Sequence, residues 1–141
     1  MTQGDVSDKA AFVRAALEGL AALPQESLPA FLADARNLPS ALHWLQTAIP
    51  ALVDIGLILV ASRALPTPRS SAEVLERLEE ARLLPAGAAL RFRPIVGFRN
   101  RVVHLYDRID PEIVYRVVTE DRGDLMELLR LLLAAHEEIQ S

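Results

Sequence analysis

The chain has 141 residues, 51% of them hydrophobic but only 5% aromatic, and a formal charge of −4. That length fits one domain, 1–141, with a single core, and the acidic balance argues against coating nucleic acid by bulk electrostatics. With no cysteine, disulfides and thiolate metal sites are excluded, and the cytoplasm is the default compartment.

Leu and Ala dominate the apolar residues, which favours helices. Val6, Ala10, Val13, Leu17, Leu20 and Leu23 follow the three-four spacing of one helical face, with Asp5 or Ser7 as cap and Pro24 as terminator. A short helix is expected around Phe31. Leu42, Leu45, Ile49, Leu52, Gly56 and Leu59 mark a long second helix with Pro39 in its first turn and a kink at Pro50. Its most apolar stretch, "IPALVDIGLILVAS", is shorter than a membrane span and reads as a buried helix. The N-terminus lacks the basic start and apolar run of a signal peptide. "RALPTPRS" is a loop.

Ser70 and Glu73 form a capping-box pattern opening a third helix, with Val74, Leu75, Leu78 and Ala81 inward. A fourth helix should run from about Ala88 to Tyr106, bent at Pro94. A fifth starts at "DPE", where Asp110 caps and Pro111 takes the first position, and continues to the C-terminus. "RVVHLY" and "EIVYRVV" have strand-like composition. Each lies inside a longer helical pattern, and two short strands would lack partners. The fold expected is an all-α, up-and-down bundle of about five helices.

Basic character is concentrated between Arg91 and Arg108, five arginines against one acid; from Glu112 onward seven acids face three arginines. On the fourth helix Ile95, Phe98, Val102 and Leu105 form the core stripe, and Arg93, Gly97, Asn100 and His104 line the far side. A glycine on that far side allows another backbone to come close. Arg99 and His104 are about 140° apart around the axis. One intact helix therefore cannot aim both at one atom. Either the helix unwinds near His104, or two copies combine across an interface.

His exchanges protons near neutrality and Arg offers forked, permanently charged donors suited to phosphate. These groups meet the needs of RNA cleavage, in which the 2′-hydroxyl is the internal nucleophile, and no metal or cofactor is required. Asn100 could orient the imidazole or bond a phosphate or base, with Arg93 and Arg101 as further RNA contacts. His43, beside Trp44, and His136 are taken as structural or solvated. Asp54, inside an apolar helix, should pair with an arginine of the fourth helix.

"RNRVVHLY", of the form Arg-x4-His-x-Tyr, with "GF" before it and "DRIDPE" after it, resembles the HepT-like toxins of the HEPN superfamily. The stretch "AIPALVDIGLILVASRALPTPRSSAEVLERLEEARLLP" is similar to that family's long helix, loop and third helix, so the resemblance runs from about Ala41 to the C-terminus. It implies a homodimer in which two motifs build a composite, metal-independent endoribonuclease site. Arg99 and His104 would be catalytic, with Asn100 as the polar neighbour. Tyr106 would receive AMP from an MntA-like minimal nucleotidyltransferase antitoxin that uses ATP. AMP would add bulk and negative charge beside Arg99 and oppose an anionic substrate. The alternatives are a non-catalytic, nucleotide-binding accessory subunit of a nucleotidyltransferase, or a helical dimer whose Arg93/Gly97/Asn100/His104 stripe is only an interface.

Overall fold

A computed structural model describes the backbone of residues 2–104 and 110–141, and the side chains of 5–98 and 110–141. The described residues form seven α-helical segments and no strand: α1 (Thr2–Ala21), α2 (Leu28–Ala33), α3 (Asn37–Ser62), α4 (Ser71–Glu80), α5 (Ala88–His104), α6 (Pro111–Arg116) and α7 (Arg122–Gln140). Val117–Asp121, between the last two, is a π-helical turn. The all-α expectation holds.

α3 is the axis of the molecule and touches every other α-helix. Its four-by-three spacing of Leu45, Ile49, Leu52, Ile55 and Leu59 leaves each of these side chains almost wholly inaccessible. The helix passes through Pro50 without ending. At 26 residues α3 is long and apolar enough to cross a membrane by length and composition, beyond the shorter stretch noted in the sequence; 56% of its most apolar window is buried against the other helices. α1 lies along α3, with Val6, Val13 and Leu20 inward, and α4, α5 and α7 complete the packing.

Local chemistry sets most boundaries. Ser27 caps α2 by accepting from the Ala30 amide. Ser70 caps α4 by accepting from the Glu73 amide, while Glu73 accepts from the amide of Arg69 rather than that of Ser70. Asp110 caps α6 through the Glu112 amide, with Pro111 at the first position. α1 departs from expectation: it begins at Thr2, so Asp5 lies in its first turn and Ser7 beyond it, and neither caps. An acid there instead complements the helix dipole.

α3 and α4 end without glycine. Ala64 (φ 51) and Arg82 (φ 63) occupy the left-handed region, followed by Leu65 and Leu83, whose amides reach back to Val60 and Leu78. Both ends are Schellman motifs, in which an apolar residue just past the turn packs onto the helix and offsets the strain. Leu83 and Leu78 are both buried.

The single fifth helix read from the sequence is interrupted. Its apolar series jumps from Val117 to Leu125 across "TEDRGD", and the π turn sits at this jump, with Thr119 Oγ1 donating to the Tyr115 carbonyl at 2.9 Å. A π turn changes the angular register, which lets α6 and α7 each bury its own face: Val114 on one, Leu125, Leu128 and Leu132 on the other.

Candidate functional site

The first half of α5 fixes where the Arg-x4-His segment starts. Its entry turn is clamped by Glu79 of α4, which accepts from the amides of Ala89 at 2.8 Å and Gly87 at 3.1 Å. These two N–H groups, Ala89 first, hold the Glu79 carboxyl below its usual range. Ile95 and Phe98, the described part of the core stripe expected from the sequence, are buried, and Phe92 and Val96 are buried beside them. Arg91 pairs with Asp124 of α7 at 2.8 Å, and its guanidinium lies 4.8 Å from the centre of the Phe92 ring.

The opposite side of α5 is open. Leu90 is 79% exposed, Arg93 and Gly97 are exposed, and among the described residues nothing beyond its own helix backbone lies within 4 Å of where a Cβ on Gly97 would stand. Arg93 has no ion pair among the described residues. None of the described residues packs on this glycine.

The helical backbone continues to His104, so positions 99 and 104 keep their separation of about 140° around one axis. The side chains of Arg99, Asn100, Arg101 and His104 lie outside the described residues, as does Tyr106 altogether. Downstream, the chain is anchored again at α6. The Tyr115 hydroxyl donates to the Gln25 carbonyl at 2.7 Å, and its ring meets Phe31 at 5.4 Å. The sequence analysis missed this tie, which joins residues 90 positions apart; the only signal was an aromatic within a β-branched run.

Asp54 corrects an expectation. It is not buried, its side chain being 47% exposed, and its partner is Lys9 of α1 at 3.2 Å rather than an arginine of α5. The carboxylate lies at the rim of the α1–α3 contact, where the chain's one lysine reaches it. His43 is exposed and meets Trp44 edge-on at 4.8 Å. His136 is buried, with Nε2 lacking a hydrogen-bond partner among the described residues. An open groove of about 850 Å³ runs between α1 and α7, floored by Leu17, Leu129 and Leu133, and none of its lining comes from α5.

The family model described as Ribonuclease HepT-like matches residues 13–132. The match carries the resemblance, read from Ala41 onward, back into α1. Three solved structures share the fold. A tri-AMPylated Shewanella oneidensis HEPN toxin in complex with MNT antitoxin has a TM-score of 0.80 at 22% identity, covering 92% of this chain and 97% of that one. A toxin–antitoxin with AMP-PNP gives 0.78 at 21%, covering 91% and 97%. A tyrosine-to-alanine mutant of the toxin–antitoxin MntA-HpeT gives 0.77 at 21%, covering 92% and 98%. No curated protein matches the chain.

Proposed function

Since this chain belongs to the HepT-like ribonuclease family, we propose that it is the toxin of a toxin–antitoxin pair, a metal-independent endoribonuclease acting in the cytoplasm as a homodimer. The observation that carries this reading is the family match over residues 13–132, which contains the whole Arg99–Tyr106 motif. The uncovered face of α5 at Arg93 and Gly97 supports it. A second copy laid there would lie along the stripe that continues through Asn100 to His104, and two copies can supply to one phosphate an Arg99 and a His104 that a single helix holds about 140° apart.

In the proposed reaction Arg99 holds the scissile phosphate, and Asn100, Arg101 and Arg93 position the RNA strand. The 2′-oxygen attacks phosphorus as its proton passes to one His104. The bond from phosphorus to the 5′-oxygen breaks, and the second His104, as imidazolium, protonates that oxygen. The products are a 2′,3′-cyclic phosphate and a 5′-hydroxyl end. Guanidinium charge stabilises the extra negative charge on phosphorus as it develops.

Silencing follows from the same site. Tyr106 Oη attacks the α-phosphorus of ATP held by an MntA-like nucleotidyltransferase antitoxin, pyrophosphate leaves, and AMP stays on the phenol oxygen. The solved relatives include an AMPylated toxin and a toxin–antitoxin with AMP-PNP. The chain has two tyrosines; Tyr115 is tied to Gln25 and half-buried on Phe31, which favours Tyr106 as acceptor.

The purified protein should cut RNA in the presence of a chelator. His104→Ala should lower the rate about 100-fold or more, with helicity unchanged. Undiminished cutting in that variant removes the assignment. ATP binding without RNA cleavage would instead favour the accessory-subunit reading.

A further inference from the structure

Gln25, in the turn after α1, gathers three helices. Its side-chain amide donates to the carbonyls of Ala21 at 3.1 Å and Leu20 at 3.4 Å, the exposed end of the α1 ladder. Its Oε1 accepts from Arg122 Nη2 at 3.4 Å, where α7 begins. Its backbone carbonyl accepts the Tyr115 hydroxyl at 2.7 Å. The π turn is therefore pinned on both sides, by Tyr115 before it and Arg122 after it, to one residue of the N-terminal half.

This junction bears on the motif through α6. The upstream end of the Arg99–Tyr106 segment is set by the buried stripe of α5. Downstream of the segment the described chain resumes at Asp110 and enters α6, which has six residues, too few to hold its own position without tertiary contacts. Buried Val114 supplies attraction, but apolar burial has no preferred direction. A hydrogen bond does, and the one from Tyr115 reaches the backbone carbonyl of a residue whose own side chain is bonded to α1 and α7. From this we infer that Tyr115 is a positioning residue: by locking α6 to Gln25 it sets the downstream end of the segment that carries His104 and Tyr106. The inference rests on the function proposed above, in which misplacement of about 1 Å lowers rates substantially.

The test is Tyr115→Phe in the full chain, which keeps the ring against Phe31 and removes only the hydroxyl. Loss of one such bond should speed hydrogen exchange of the amides between 102 and 110 about fivefold, with α3 amides unchanged. The kcat for RNA cleavage and the rate of AMP transfer to Tyr106 should fall about three- to tenfold at constant KM. Unchanged exchange overturns the inference, and so does faster exchange with both rates intact. If the unaltered protein neither cuts RNA nor accepts AMP, the proposed function fails, while the exchange measurement still decides whether Tyr115 governs the segment.

Discussion

Two helical glycines divide the molecule by purpose. A Cβ on Gly56 of α3 would stand 2.6 Å from Cγ1 of Val74, whereas a Cβ on Gly97 of α5 would meet nothing within 4 Å. The first glycine lets α4 sit close on α3. The second makes no such room for any described residue, although glycine in a helix costs about 1 kcal/mol relative to alanine. Among the described residues this face also carries an Arg93 without an ion pair and an exposed Leu90, which is the surface that the proposed dimer would cover. α3 is scaffold, and α5 is scaffold on one side only.

The sharpest way to break this contrast is to fill both sites. Gly56→Leu should destabilise the fold by about 3 kcal/mol, read as a lower urea midpoint, because buried, β-branched Val74 cannot rotate away. Gly97→Leu should stabilise an isolated subunit by up to about 1 kcal/mol, yet abolish dimer sedimentation and RNA cleavage together. A dimeric, active Gly97→Leu protein would remove the interface from this face. Ala64→Gly, at the left-handed end of α3, should raise stability by roughly 0.5–1 kcal/mol.

The entry to α5 gives a pH test. Because Glu79 has a lowered pKa in the fold, its contribution is fully present above its ordinary value of 4.5 and is lost as pH falls through the lowered one. Glu79→Gln should flatten that part of the acid-unfolding curve and lower stability at neutral pH, where the carboxylate's contribution is fully present and only one of its two amide contacts can be kept. Smallest of all, Lys9→Met should change the unfolding free energy, read from urea titration, by less than about 0.5 kcal/mol, since its pair with Asp54 is solvent-accessible.

What the sequence disclosed divides along physical lines. Starts of helices were legible, as at Ser70 and Asp110, because a cap and the amide that donates to it lie within three residues of each other. The end of α3 was legible from the prolines of "RALPTPRS", but the left-handed turns at Ala64 and Arg82 were not, since such a residue without glycine depends on where Leu65 and Leu83 can pack. Burial of His136 escaped notice for a similar reason: its acidic neighbours Glu137 and Glu138 face solvent while it turns inward. Asp54 was misjudged because helical periodicity identifies an apolar neighbourhood but not how near it lies to a rim. For the site, the spacing of Arg99, His104 and Tyr106 was plain, and the angular conflict between the first two followed from helix geometry. The remote anchor at Gln25 depends on a contact across 90 residues, which no local pattern encodes.

The π turn at Val117–Asp121 has a consequence for evolution. Such a turn accommodates one residue more than an α-turn, so this is where chain length can vary at least harm to either flanking helix. Among related sequences, a one-residue gap should fall within this short polar stretch, and deleting Thr119 should be better tolerated than deleting any residue of α7.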